Sequence, residues 1–336
     1  MPTDRHAGRI NGVVTSNSPT FGAVALSLEA ATQLLGVGFT GVDGEWLHRP
    51  SILARGSYTV GNVSNSPTYI QKGSVSGGTL ARHNCYSLSV GNCSMTDETV
   101  LVTGASSGIG AATVHRVAAD GADVALLARS EARLRELAEA VAADHGVETH
   151  VVPADVRESA EVAAAVESTV ETLGPLTGVV VNAGLARGSD IESMSDDEFL
   201  TMQRVNVDGA FYTVREALPH LRETAGNVVF IGSFAGKYPR PFNPVYAATK
   251  WWIRGFAMSL AAQVGADDIG VTVVNPSEVR TEFESADGTP FAEVFEEGEV
   301  TEPEEVADAV AFALGQTPPT TVNELDVYRR DKFGHF

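Results

Sequence analysis

The stretch Thr99-Val-Leu-Val-Thr-Gly-Ala-Ser-Ser-Gly-Ile-Gly110 decides the fold. Its first five residues, Thr99–Thr103, are apolar or β-branched and read as a buried strand. Three glycines follow at 104, 108 and 110, and a helical pattern begins at Gly108 and runs to Ala119. Gly104 permits a tight turn, Gly108 lets backbone approach a diphosphate, and Gly110 lets the helix pack closely on the strand. The phosphates would face the amides at the helix N-terminus, with Ser106, Ser107 and Ile109 in the same turn. An ordinary strand–helix turn is the competing reading, and the strand–turn–helix context favours the dinucleotide one.

Outward from this turn, short β-branched runs alternate with helical stretches, which predicts a doubly wound α/β domain with a parallel sheet. Strands are expected at Thr99–Thr103, Ala122–Leu127, Glu148–Pro153, Gly178–Asn182, Asn227–Gly232, Gly270–Asn275 and Glu324–Tyr328. Helices are expected at Gly108–Ala119, Glu131–Ala143, Arg157–Leu173, Asp196–Arg222, Val245–Val264 and Glu302–Leu314. Ser130 precedes one helix, and Thr301 with Glu304 reads as a capping box before another.

Upstream lies a different kind of sequence. Residues 1–94 are rich in Gly, Ser, Thr and Asn, repeat Ser-Asn-Ser-Pro-Thr at 16–20 and 64–68, and carry six basic against four acidic residues. One short helix is expected over 23–35, and the rest reads as poorly structured. Met95 stands just before the first strand, so residues 1–94 read either as an upstream translation from a misassigned start or as a genuine accessory tether. Residues 95–336 read as the folded domain.

That domain holds 39 acidic and 17 basic residues, a net charge of −22. Such a surface repels phosphate backbones and anionic lipid, which argues against nucleic acid or membrane as partners. Only four lysines occur, at 72, 237, 250 and 332. This balance suits a protein adapted to a salty cytoplasm, where screening reduces self-repulsion; an ordinary acidic enzyme is the alternative. The only two cysteines, Cys85 and Cys93, lie upstream, and the scattered histidines show no metal-ligand spacing.

Ser233-Phe-Ala-Gly-Lys-Tyr-Pro-Arg-Pro-Phe-Asn-Pro-Val-Tyr-Ala-Ala-Thr-Lys250 carries the chemistry. In a helix, Tyr246 and Lys250 stack on one face. A free phenol titrates near ~10, and lowering that by ~3 units takes roughly 4 kcal/mol of differential interaction. An ammonium one turn away would supply it and make Tyr246 a usable general acid and base. Ser233 ends the preceding strand and points a hydroxyl at the same spot. Arg129 stands at the end of the second strand, where an acidic residue would favour NAD; its guanidinium suits the 2′-phosphate of NADP, with NAD as the alternative. Asp155 could take the adenine edge, and Asn182-Ala183-Gly184 the adenosine and ribose side. Asn206 lies inside a helical pattern where an amide is unfavourable unless it has a partner.

These motifs together resemble the short-chain dehydrogenase/reductase family. The resemblance spans about Thr96 to Tyr328 and rests on five signatures in order: Thr103–Gly110, Asn182–Gly184, Asn206, Ser233, and Tyr246 with Lys250. It implies a Rossmann-like domain and hydride transfer between a nicotinamide cofactor and an alcohol or carbonyl carbon. Tyr246 would exchange the proton, Lys250 would lower its pKa and bind the nicotinamide ribose, Ser233 would hold the substrate oxygen, and Asn206 would position a water. Val156, Pro276, Val279 and Thr281 join the cofactor contacts by match.

Departures are Val181 before Asn182, Ser277 and Glu278 after Pro276, and a C-terminus closer to 3-hydroxy acid and serine dehydrogenases than to 3-oxoacyl-carrier-protein reductases. The substrate pocket is expected from residues 185–189, 234–243 and 280–295. There Arg187, Lys237, Arg240 and Arg280 either bind a substrate carboxylate or form local salt bridges. The implied protein is a cytoplasmic NADP(H)-dependent enzyme for a small-molecule alcohol or carbonyl, a homodimer or homotetramer with Trp251, Trp252 and Phe256 at contacts. A 3-oxoacyl-carrier-protein reductase and a non-catalytic nucleotide sensor on the same fold are the alternatives.

Overall fold

The computed structural model describes residues 94–187, 190–284 and 288–335. The expected helix over 23–35, the repeated pentapeptide and both cysteines lie outside them.

Seven strands form one parallel sheet in the order β3-β2-β1-β4-β5-β6-β7. They are β1 Thr99–Thr103, β2 Asp123–Ala128, β3 Thr149–Pro153, β4 Gly178–Val181, β5 Asn227–Ile231, β6 Gly270–Pro276 and β7 Glu324–Val327. Successive side chains on a strand point to opposite faces, so a nearly continuous apolar run feeds two cores. Leu101, Val228 and Phe230 enter one core, while Val100, Val102, Val229 and Ile231 enter the other.

Helices cover both faces. Helices α1 (Gly108–Ala119) and α2 (Glu131–His145) contribute Val114, Val117, Leu134 and Val141 to the second core. On the opposite side, α3 (Ser159–Leu173) brings Val162 and Val166 to the first core. The sheet order reverses between β1 and β4, so a crevice opens beyond their carboxyl ends.

The single helix expected over Asp196–Arg222 is three pieces. Helix α4 (Asp196–Met202) passes through a π-helical turn at Gln203–Asp208 into α5 (Gly209–Thr224). The wider turn carries Asn206, whose amide bonds outside the helix. Capping differs as well. Ser130 precedes α2, but its hydroxyl makes no cap bond. The last long helix, α8 (Pro303–Leu314), follows Glu302, whose amide donates to the Glu305 carboxylate at 2.9 Å, so the expected box at Thr301 and Glu304 is displaced by one residue. Pro303 fixes that start, because proline suits the first helical position. Ser195 and Glu198 form a full capping box ahead of α4.

Helix α6 (Pro244–Val264) begins after the Asn243 side chain, which accepts from the Tyr246 amide at 3.3 Å. This places Tyr246 in the first turn and Lys250 in the next. Of the aromatics expected at subunit contacts, Trp251 is exposed, whereas Trp252 stacks on Phe256 at 4.7 Å against the first core. A short helix, α7, spans Phe291–Val294.

The glycine turn is held by close backbone approach. Gly104 has φ +64°, and a Cβ on Gly110 would lie 2.2 Å from the Gly104 carbonyl oxygen and 2.6 Å from Asn182 Nδ2. Neither neighbour is a flexible side-chain end, so Gly110→Ala is expected to destabilise the domain at the upper end of about 1–3 kcal/mol. Urea unfolding of both proteins measures this, and an unchanged midpoint would contradict the packing described.

Candidate active site

Two polar side chains lock the ends of β1 and β4 together. Asn182 Nδ2 donates to the carbonyls of Thr103 at 2.8 Å and Gly104 at 3.1 Å. Thr103 Oγ1 accepts from the amides of Asn182 at 3.0 Å and Ala183 at 3.1 Å, and donates to the Val180 carbonyl. The amides that open α1 have no intrahelical partner, and Ser107 gives no side-chain cap bond. They form an anion-binding end.

A cleft of about 710 Å³ runs along the carboxyl edge of the sheet. Gly104, Ser106, Ser107, Gly108 and Ile109 line it from the turn, Arg129 from β2, and Asp155 and Val156 from beyond β3. Asn182, Ala183 and Gly184 follow β4, Ser233 follows β5, Tyr246 and Lys250 come from α6, Pro276 ends β6, and Val279 and Thr281 follow it. The expected contacts Thr103 and Gly110 do not line it. Both are buried behind the turn, where the Thr103 hydroxyl is spent on β4 and Gly110 packs on Gly104.

At one end the guanidinium of Arg129 is exposed and has no ion pair among the described residues, while Arg133 reaches Glu282 at 2.8 Å. The Asp155 carboxylate takes two bonds from Arg157 Nε at 2.9 and 3.0 Å. Hydrogen bonding to Arg157 holds its pKa below the usual carboxylate range, against the opposing effect of burial.

At the other end stand Ser233, Tyr246 and Lys250. The Ser233 hydroxyl accepts from the Ala235 amide at 3.1 Å and stands close enough to the Tyr246 phenol to act on its pKa. Loss of water pushes the phenol above its ordinary pKa, while Ser233 and the charge of Arg240 pull it down. Lys250 Nζ is buried, donates to the Ile231 carbonyl at 2.8 Å, and lies 5.9 Å from the Tyr246 ring centroid. Burial lowers its pKa to about 8. The ammonium expected one turn from the phenol is drawn toward the end of β5, and desolvation disfavours its charged form.

Asn206 sits behind this group, buried and outside the cleft lining. Its Nδ2 donates to the Leu185 carbonyl at 2.9 Å and Thr249 Oγ1 at 3.0 Å, and its Oδ1 accepts from the Leu185 amide at 2.9 Å. Thr249 Oγ1 in turn donates to the Tyr246 carbonyl at 2.7 Å. Leu185 was expected in the pocket wall and lines the cleft, whereas Thr249 was passed over; its one available signal was a hydroxyl on the α6 face beside Lys250.

Each of the four cations flagged around the pocket has a carboxylate. Arg187 pairs with Glu284 at 2.5 Å, Lys237 with Asp326 at 2.8 Å, Arg280 with Glu302 at 3.1 Å, and Arg240 with Glu278 at 3.4 Å. Phe283 faces Tyr246 at 5.6 Å and Phe291 at 6.0 Å, which gives the pocket an aromatic wall.

Known proteins are similar to this chain in sequence and fold. The short chain dehydrogenase family model matches residues 98–289. An uncharacterized oxidoreductase of Staphylococcus epidermidis is 31% identical over 232 residues, covering 69% of this chain and 96% of the relative. Among solved structures, an alcohol dehydrogenase from the archaeon Thermococcus sibiricus, complexed with 5-hydroxy-NADP, has a TM-score of 0.64 at 29% identity, covering 69% of this chain and 96% of that one. A 3-ketoacyl-(acyl-carrier-protein) reductase from Brucella melitensis, complexed with NADH, has a TM-score of 0.63 at 28% identity, covering 70% and 98%.

The buried Lys250 makes stability depend on pH. Its folded pKa of about 8 lies below the ordinary 10.5, so the unfolded chain holds the proton longer. Stability therefore rises with pH between those values, by on the order of 3 kcal/mol. Denaturant unfolding of wild type and Lys250→Met at pH 7 and pH 10.5 is expected to show the wild type gaining on the variant at the higher pH. A pH-independent difference would mean the lysine is not buried as described.

Proposed function

The chain belongs to the short-chain dehydrogenase family, and we propose that it moves a hydride between NADP(H) and a small or medium alcohol or carbonyl, with Tyr246 as general acid and base. The observation that carries this is the convergence of Ser233, Tyr246 and Lys250 at one end of a cleft whose other end is a glycine turn with uncapped helix amides.

The residues fit a dinucleotide. A Cβ at Gly104 would lie 2.9 Å from the Ala183 backbone and one at Gly108 3.1 Å from Thr281, so glycine keeps this turn closely packed, and the α1 amides suit a diphosphate. Arg129, free of ion pairs among the described residues, suits a 2′-phosphate and supports NADP over NAD. Asp155, Val156, Ala183 and Gly184 would flank the adenosine and ribose, and Pro276, Val279 and Thr281 the nicotinamide. Bound there, the cofactor supplies or accepts the hydride.

The protein supplies the proton path. The Ser233 hydroxyl holds the substrate oxygen, and Tyr246 gives that oxygen a proton in reduction or takes one in oxidation. Lys250 offers ribose-binding N–H groups, and with a pKa of about 8 it exchanges protons near neutrality. Asn206 fixes the backbone at Leu185 and the α6 turn through Thr249, and its one unused lone pair is left for a water.

The net −22 of residues 95–336 supports a cytoplasmic protein of a salt-adapted cell. The exposed Phe199, Leu200, Phe211 and Trp251, from α4, α5 and α6, support a homodimer or homotetramer. No helix of the described residues is long and apolar enough to cross a membrane. The C-terminal sequence supports the 3-hydroxy acid and serine dehydrogenase branch.

Tyr246→Phe is expected to cut turnover by about 10²–10⁴-fold, the usual worth of a positioned acid–base group, while NADPH binds within threefold of wild type. Steady-state rates together with fluorescence titration of NADPH and NADH measure both. Retained turnover would rule out the proton role. The folded state is also expected to need salt: circular dichroism should show unfolding at low ionic strength and recovery in molar KCl. Indifference to KCl would favour the ordinary acidic enzyme.

A further inference from the structure

Beside Tyr246 the cleft holds an uneven charge balance. Arg240 lies between Ser233 and α6, lines the cleft, and has its guanidinium carbon 4.7 Å from the Phe242 ring centroid and 5.6 Å from that of Phe234. Aromatic faces of this kind hold a guanidinium by its plane and leave its N–H edge for an anion.

The nearest carboxylate is already taken. Glu278 Oε1 is 3.4 Å from Arg240 Nη2, at the outer limit of a hydrogen bond, but only 2.5 Å from Lys332 Nζ. Lys332 is buried and stands 4.5 Å over the other side-chain neighbour of this group, the Phe234 ring. The second oxygen of Glu278 is buried without a donor. Two cations thus share one carboxylate, leaving one positive charge beside the reacting hydroxyls of a strongly acidic domain.

Arg187, Lys237 and Arg280 differ. Each has its own carboxylate at 3.1 Å or less, so none leaves a surplus charge in the cleft. The Arg240 guanidinium forms no other hydrogen bond among the described residues. A cation partly out of water, backed by rings and loosely paired, binds a carboxylate through charge-assisted bonds better than the same group on the surface.

We propose that Arg240 is the specificity residue of this site and binds a substrate carboxylate, so that the enzyme acts on hydroxy acids and their oxo counterparts. Lys332 is a positioning residue in this arrangement. By holding Glu278 it keeps Arg240 from being neutralised, which gives the C-terminal segment a part in substrate choice. The inference rests on the oxidoreductase reading above and narrows it to an anionic substrate class.

The test is a panel of 2-, 3- and 4-hydroxy acids, their oxo acids, and the methyl esters of each, run with NADP+ or NADPH in molar KCl. Wild type is expected to prefer an acid over its ester by tenfold or more in kcat/KM, about the worth of one charge-assisted hydrogen bond. Arg240→Gln should bring that ratio toward one, with Arg240→Lys in between. Lys332→Met should raise KM for the acid several-fold with little change in kcat, and Lys332→Arg should restore it. Far-UV circular dichroism checks that each variant folds, and should Lys332→Met fail to fold, the Arg240 pair decides alone. Turnover of neutral members with no advantage for acids, or a ratio unmoved in Arg240→Gln, would overturn the carboxylate site and leave the oxidoreductase reading standing. No turnover of any member, charged or neutral, would overturn both.

Discussion

The site depends on how the carboxyl ends of β1 and β4 are joined. Where the strand order reverses, nothing in the sheet ladder itself fixes the two loops that leave it. The Asn182 amide and the Thr103 hydroxyl do so, with five hydrogen bonds between residues nearly eighty apart in sequence. Each such bond contributes only about 0.5–1.5 kcal/mol net, yet leaving one of these enclosed groups unpaired costs about 1–3. The lock is therefore strongly preferred once the sheet forms. It also sets the spacing across the crevice, because Gly110 can sit against Gly104 only while the turn keeps this shape.

On the far side of the crevice the constraint is electrostatic. A lysine taken out of water at the end of β5 has one fixed protein acceptor, the Ile231 carbonyl. That single bond does not recover the hydration lost, and the fall in pKa to about 8 records the deficit. Such a cost is kept where a group near neutrality is useful, and the neighbouring phenol is also displaced from its solution value. The two groups are moved in opposite senses by the same cause, burial, so that the lysine becomes easier to discharge and the tyrosine harder. At the phenol, Ser233 and Arg240 act against that burial.

Much of this was legible in the chain. β1, its glycines and the Tyr246–Lys250 pair are local patterns, and local patterns depend on spacings of a few residues. Six further strands fall within a residue or two of their expected limits; β2, β4, β5 and β6 do so as buried, largely apolar runs, whereas β7 is half-buried and carries Glu324 and Asp326. What was not legible is non-local. Asn206 widens its helix into a π turn because its partners are Leu185 and Thr249, 21 and 43 residues away. Asn182 and Thr103 read as cofactor contacts by motif, whereas their side chains face each other's strand ends. The misplaced capping box shows the reverse limit: two adjacent frames carried acidic residues at the right spacing, and only Pro303 distinguished them.

Two departures from the family pattern, noted separately in the sequence, turn out to be one structural feature. Ser277 stands where the family's Pro-Gly has its glycine, with Glu278 after it, and the C-terminus lacks the closing Gly-Gly common in 3-oxoacyl-carrier-protein reductases. In the fold these segments meet. The Ser277 amide donates to the Val327 carbonyl at 3.0 Å, the Arg329 amide donates to Ser277 Oγ at 3.2 Å, and Lys332 reaches Glu278. Tyr328 and Phe333 pack on Phe234 at 5.3 and 6.0 Å, so the tail also covers the loop that follows Ser233. A flexible glycine after Pro276 would leave the loop to be ordered by its ligands. A serine and a glutamate held by the tail order it in advance, which lowers the entropy lost on binding and restricts what binds to ligands that match the fixed loop. The C-terminal segment thereby backs the wall of the cleft without lining it, and acts on the site only through Ser277, Glu278 and Phe234.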